Sequence, residues 1–315
     1  MKRALIIGID DYPVTPLSGC VNDAKRMTEI LVSHQNGDPN FECETIISGK
    51  RKITRALLRE KLQELFAHWA EVALFYFAGH GVVNEFGGYL VTQDFKHNDE
   101  GVAMLDVLSL ANQSEVKEVV IILDCCHAGA AGVIPALQSD QVLLREGVSI
   151  LTATSTKQKA VEEEGGGIFT TLLCGALEGG AADVAGNVTI ASVYAYLDQA
   201  LGAWQQRPFL KAHVSRLITL RRCDSVLDPA IIRQLPKHFP VPDFEFPLDP
   251  SFEPTSDQAI AHHTDIFKEL QACRGAQLVV PVGEEHMYYA AMNSKSCKLT
   301  PLGQFYWKLA KSRKI

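Results

Sequence analysis

The sequence predicts an α/β fold, a parallel sheet held between two helical layers. Two observations carry that expectation. Short apolar runs recur along the first two-thirds of the chain, separated by segments of helical periodicity, which is the alternation of βαβ units. Two of those runs also end on chemically loaded strings, Phe75-Tyr76-Phe77-Ala78-Gly79-His80-Gly81 and Val119-Val120-Ile121-Ile122-Leu123-Asp124-Cys125-Cys126-His127-Ala128-Gly129. In an open parallel sheet the carboxyl ends of the strands are where sites are built.

Taken in order, Arg3 to Ile9 reads as the first strand. Asn22 to Ser33 has Ala24, Met27, Ile30 and Leu31 at helical spacing, with Asn22 the expected cap. Cys43 to Ile47 is the second strand, and Thr54 to Trp69 is an amphipathic helix with Leu57, Leu58, Leu62, Leu65 and Phe66 on one face. Glu71 to Ala78 and Glu118 to Leu123 are buried strands, followed by Val148 to Ala153. Helices are expected over Phe169 to Leu177 and Ile190 to Leu201, and a last strand near Val214 to Leu220.

Composition changes at Cys223. Prolines at 229, 236, 240, 242, 247, 250 and 254 argue against long helices and predict an extended tether. Beyond it, Asp257 to Ala272 is helix-like, Gln277 to Val282 and His286 to Ala291 read as a short hairpin, and Thr300-Pro301-Leu302-Gly303 opens a last helix. The expected domains are therefore residues 1–222, a proline-rich linker over 223–256, and a small α+β, winged-helix-like module over 257–315. No solenoid-length repeat is present.

Bulk properties exclude several classes. With 315 residues, 47% hydrophobic and 21% charged, the chain can bury one large core and a smaller second one. A formal net charge of −7 argues against a globally basic nucleic-acid binder. Met1 to Asp10 runs straight into a strand pattern, and no apolar stretch reaches the roughly eighteen residues of a membrane span. Neither a signal peptide nor a membrane partner is expected. Eight scattered cysteines without CxxC spacing suit a reducing cytoplasm.

The two strand-end strings read together as a Cys/His dyad, because a thiol needs a nearby base to become a nucleophile. Adjacent strand residues face opposite sides, so one of Cys125 and Cys126 packs into the core. Three consecutive residues cannot converge on a tetrahedral ion, which removes Cys125, Cys126 and His127 as a metal set. An isolated His127 reads as solvated or core-satisfied. Asp124 can cap the following turn, and Asp23 on its own reads as a first-turn acid favoured by a helix dipole. Gly165-Gly166-Gly167 follows Glu162-Glu163-Glu164 and lacks a phosphate-binding lysine, so a loop before the Phe169 helix is expected.

Over Lys2 to Arg222 the chain resembles the caspase-like cysteine peptidases, in particular the metacaspase and bacterial caspase-homologue branch. Gly79-His80-Gly81 and Asp124-Cys125-Cys126-His127-Ala128-Gly129 resemble that branch's GHG and DxCHSG motifs, with Ala128 in place of Ser, and Leu17 to Ala24 resembles the segment after its first strand. The resemblance implies a three-layer caspase-like fold with a mostly parallel six-stranded sheet. It implies Cys126 as nucleophile, His80 as general base and acid, and the backbone N–H groups of Gly81 and Cys126 as oxyanion hole. It also implies Asp23 and Asp124 in the substrate pocket. Paired carboxylates there favour a protein substrate with Arg, or Lys, before the cut and repel Asp.

Further expectations follow from the same resemblance. Ala130 to Gly147 would be an intersubunit loop, with Arg145 as a self-cleavage candidate and Lys157 and Lys159 as a second. Some relatives need Ca²⁺, but Glu85, Asp94, Asp99, Glu100 and Asp106 are too dispersed to predict a calcium site, so no cofactor is expected. From His286 onward Lys295, Lys298, Lys308, Lys311, Arg313 and Lys314 stand without an acid. A solvated helix, an activator or partner-protein surface and a weak nucleic-acid contact compete there. The expected function is a cysteine endopeptidase cutting after Arg or Lys in bacterial stress or antiviral defence signalling. Its competitor is a catalytically silent adaptor acting through the C-terminal module.

Overall fold

The computed structural model describes residues 1–96, 99–127, 143–153, 162–163, 166–201 and 208–315. It divides into two compact units, Met1–Ala182 with Asn187–Asp224, and Asp183–Gly186 with Ser225–Ile315.

In the first unit the chain runs β1 (Lys2–Gly8), α1 (Cys20–Leu31), β2 (Phe41–Ile47), α2 (Arg55–Phe66), β3 (Val72–Asn84), β4 (Gly87–Lys96), β5 (Asp99–Ala103) and α3 (Met104–Gln113). It continues through β6 (Glu118–His127), β7 (Val148–Thr152), β8 (Glu162–Glu163), β9 (Gly166–Gly167), α4 (Ile168–Gly175), β10 (Asn187–Thr189), α5 (Ile190–Leu201), β11 (Phe209–His213) and β12 (Thr219–Arg222). Six strands lie in the order β11-β7-β6-β3-β1-β2. All neighbours along that path are parallel except β11, which runs antiparallel to β7.

Strand alternation builds the two outer layers. Leu5, Ile7, Phe75, Phe77, Ile121 and Leu123 bury against α2 and α3, with Leu58, Leu62, Val107 and Leu108. On the other face Ala4, Ile6, Leu74, Tyr76, Val120 and Ile122 meet Met27 and Leu31 of α1, Leu173 of α4 and Val193 of α5. The period of two sends odd and even strand residues to opposite cores.

Several local expectations are corrected. Helix α1 starts at Cys20 behind Gly19 rather than at an Asn22 cap; the Asp10 carboxylate instead accepts the Cys20 N–H at 2.8 Å and the Val21 N–H at 3.3 Å. The Gly79-His80-Gly81 string does not end its strand. β3 continues through Gly79-His80-Gly81 to Asn84, because Gly81 to Asn84 pair antiparallel with Gly87 to Leu90 of β4. Val214 to Ile218 is not a strand: the chain leaves the sheet edge after β11 and pairs again as β12 with β10. Glu162-Glu163 and Gly166-Gly167 form a small antiparallel ribbon rather than a bare loop.

The second unit contains α6 (Pro229–His238), β13 (Glu245–Pro247), α7 (Ala261–Gly275), β14 (Val279–Val282), α8 (Met287–Met292), β15 (Ser296–Leu299) and α9 (Pro301–Lys311). Its sheet is antiparallel in the order β13-β15-β14. The stretch expected as a tether is part of this core: Leu227, Ile232, Leu235, Phe239, Leu248 and Phe252 are buried with Phe267, Leu278 and Trp307. Proline starts a helix as readily as it ends one. Pro229 occupies the first turn of α6, where Asp228 caps the Ala230 N–H at 2.7 Å. The expected second hairpin strand, His286 to Ala291, is helical, since Met287, Ala290 and Ala291 are buried at helical spacing. Strand β14 thus reaches its partner β15 through a helix, not through a wing-like hairpin.

Candidate active site

Loop Ile9–Gly19, between β1 and α1, packs against His80. Asp10 holds it from within, its carbonyl accepting from the Tyr12 and Leu17 N–H groups at 2.9 Å each. Tyr12 is buried, donates to the Val91 carbonyl at 3.2 Å and accepts the His80 N–H at 3.0 Å. Its ring centroid lies 4.6 Å from that of His80. Gly79 is required beneath it, because a Cβ there would collide with the Tyr12 hydroxyl. One ring nitrogen of His80, Nε2, lies 2.7 Å from the Thr15 carbonyl oxygen. A carbonyl only accepts, so Nε2 carries a proton and donates to it. Thr15 reaches this position with a φ of 55°, a left-handed backbone that a β-branched residue rarely adopts.

In the β3–β6 ladder His80 stands directly opposite Cys126, and Gly79 opposite Cys125. Cys125 is buried beside Leu123 in the α2–α3 core, in keeping with its reading as the packed cysteine. Gly81 is in register with His127 of β6 and with Leu90 of β4.

Two carboxylates, Asp23 and Asp124, converge on the first turn of α4. Asp23 Oδ2 accepts the Gly167 N–H at 3.0 Å, and Asp124 Oδ2 accepts the Thr170 hydroxyl at 2.6 Å. A Cβ on Gly167 would lie 2.9 Å from Asp124 Oδ2 and 3.3 Å from Asp23 Oδ2. Asp23 is buried, and its Oδ1 has no hydrogen-bond partner among the described residues. Burial, with the Asp124 charge adding to it, pushes the Asp23 carboxyl up to about 7. Asp124 is also raised by burial, against which the Thr170 hydrogen bonds pull it down. Arg26, whose guanidinium donates to the Thr171 hydroxyl at 3.3 Å, lowers the Asp23 carboxyl only modestly against that burial. The arrangement sets two half- to fully buried carboxyl groups against one helix terminus.

Arg145, the self-cleavage candidate, donates to the Ala111, Glu146 and Val116 carbonyls at 3.1, 2.6 and 2.5 Å and to the Ser114 hydroxyl at 3.0 Å. Asp94 accepts the Arg55 N–H at 3.0 Å, Asp99 pairs with the Arg55 guanidinium, and Asp106 pairs with Arg59. Among the described residues no His, Cys, Asp or Glu cluster suits a metal. Residues 130–142, Lys157, Lys159 and Gly165 lie outside the described residues. Sequence reading passed over Asp10, Tyr12, Thr15, Tyr76 and Thr170. Only the carbonyl-directed geometry of the loop and the buried hydroxyls reveal them.

Residues 1–218 match the Caspase domain family. The fold is similar to the crystal structure of protein GSU0716 from Geobacter sulfurreducens, with a TM-score of 0.52 and 15% identity, over 68% of this chain and 94% of that one. It is also similar to caspase-1 from Spodoptera frugiperda, with a TM-score of 0.51 and 12% identity, over 70% and 92% of the two chains. No curated protein matches the chain. Among the described residues no helix is long and apolar enough to cross a membrane.

Proposed function

The chain belongs to the Caspase domain family, and from that premise we propose that it is a cysteine endopeptidase cleaving proteins after Arg, or Lys, through an acyl-enzyme on Cys126. Caspase-domain proteins form a family of cysteine peptidases. The observation that carries the reading is the register of His80 with Cys126, beside two carboxylates converging on one glycine.

In this reading His80 Nδ1 takes the Cys126 thiol proton, and the Thr15 carbonyl steadies the resulting imidazolium through Nε2–H. The thiolate adds to the scissile carbonyl, whose oxyanion is held by the N–H groups of Gly81 and Cys126. His80 then returns the proton to the leaving amine, and water hydrolyses the thioester by the reverse sequence. Asp23 and Asp124 receive the substrate guanidinium. A cation entering between them favours the ionised form of both, which makes an arginine the complement of the pair.

The test is hydrolysis of an arginyl fluorogenic peptide by wild type and by Cys126→Ala, with and without Ca²⁺, beside lysyl and aspartyl peptides. The expected result is Cys126-dependent cleavage of the arginyl peptide above the lysyl one, with none of the aspartyl. No Cys126-dependent hydrolysis of any peptide would remove the peptidase assignment; equal cleavage after Asp would remove the acidic pocket.

A further inference from the structure

Tyr76 poses a question that packing does not answer. It is fully buried on β3, on the face covered by α1 and α4, where a phenylalanine would fill the same space without a polar atom to satisfy. Its hydroxyl lies 2.6 Å from the Thr170 hydroxyl, and that hydroxyl lies 2.6 Å from Asp124 Oδ2. The Thr170 hydroxyl gives its one proton to Asp124 Oδ2, so its lone pair accepts from Tyr76. The chain has one direction, from Tyr76 through Thr170 to Asp124.

We propose that Tyr76 and Thr170 are positioning residues for arginine selectivity, a one-way hydroxyl relay that fixes Asp124 to receive a cationic side chain. This inference rests on the reading of Asp124 as a pocket carboxylate. The relay ends on the first turn of α4, whose cap Gly167 also donates to Asp23. One helix terminus thus holds both carboxylates, and Thr170 is the member that does so through a side chain. Donation to a carboxylate stabilises its charged form, and an upstream donor polarises and orients the hydroxyl that makes the bond. The Thr170 bonds oppose the burial that raises Asp124. Without the relay, Asp124 would carry its proton to higher pH and its oxygen would lose a fixed direction.

The experiment compares full-length wild type with Thr170→Val, Thr170→Ser and Tyr76→Phe on the arginyl peptide from pH 5.5 to 9, with thermal melting of each protein alongside. Thr170→Val is expected to raise KM about tenfold with kcat within about twofold, and to move the acid limb of kcat/KM upward by about one pH unit. Tyr76→Phe moves both in the same direction by about threefold in KM, and Thr170→Ser restores wild-type values. A purely structural role predicts lowered melting with an unmoved pH limb. Should Thr170→Val fail to fold, Tyr76→Phe carries the same readout. Wild-type KM and acid limb in a folded variant that lacks either hydroxyl overturns the relay while leaving the peptidase reading intact. A wild type that leaves the arginyl peptide uncut overturns both.

Discussion

Burying Asp23 has a cost whose pH dependence separates a pocket carboxylate from a helix cap. Its ordinary value is 3.8 and its folded value is pushed up to about 7. The stability it contributes is therefore fully present below pH 3.8 and is lost as pH rises through about 7. Asp23→Asn keeps an acceptor for the Gly167 N–H while removing the charge. It is expected to match wild type near pH 4 and to exceed it at pH 8 by on the order of 2–4 kcal/mol, read by denaturant unfolding at both values. A gain or loss independent of pH would mean that Asp23 only caps. The same variant should lose arginyl cleavage, and wild-type kcat/KM should fall as pH drops below about 7, where Asp23 takes up its proton. Cys125 offers the complementary control. Buried beside Leu123, Cys125→Ala should cost about 1 kcal/mol of stability and leave hydrolysis within a few-fold, where Cys126→Ala abolishes it. The motif and strand alternation read Cys125 as the packed cysteine, and its burial agrees; the Cys126 role is what the hydrolysis assay tests. Motif and alternation were silent on Tyr12 and Thr15, whose roles arise from a loop folding back over β3.

At the scale of elements, Asp23 and Asp124 meet because α1 and α4 pack on the same face of the sheet. A Cβ on Gly8 would collide with the Cys20 carbonyl and lie 2.7 Å from Ala24 Cβ, so α1 sits as near to β1 as a residue without a side chain permits. Gly8→Ala is expected to destabilise by about 2–4 kcal/mol and to weaken arginyl cleavage together with stability, since it displaces the helix that carries Asp23. Thermal melting and kcat/KM on the same preparation check both. Arg145 is a second element-level anchor, tying the chain before β7 to the end of α3 through its three carbonyl contacts and the Ser114 hydroxyl. Its guanidinium cannot enter a cleft without surrendering those bonds. Prolonged incubation followed by mass spectrometry should show no cut after Arg145 in the folded protein, and Arg145→Ala should cost about 2–3 kcal/mol. Residue type alone marked Arg145 as cleavable because a cation in a presumed loop looks free; only its partners show it engaged.

For the whole molecule, the division into two units puts the proline-rich stretch inside the second one. Phe239 is fully buried and its carbonyl accepts the Trp307 indole N–H at 2.6 Å. Phe239→Ala is expected to cost about 3–5 kcal/mol, read by denaturant unfolding followed at Trp307; a tether would tolerate the change without effect. Local pattern misread this stretch because proline reports where a helix cannot continue, not whether the short pieces between prolines are buried. The alternation of strands and helices, the three-layer arrangement of a mostly parallel sheet, and the two strings from which the proposed chemistry is argued were legible in the sequence. Each follows from periodicity and residue type within a few neighbours. The register of His80 with Cys126, the proton placed on Nε2 by the Thr15 carbonyl, and the convergence of Asp23 and Asp124 on α4 were decided by tertiary structure alone. They depend on burial and on hydrogen bonds between residues far apart in the chain, quantities that no local pattern contains.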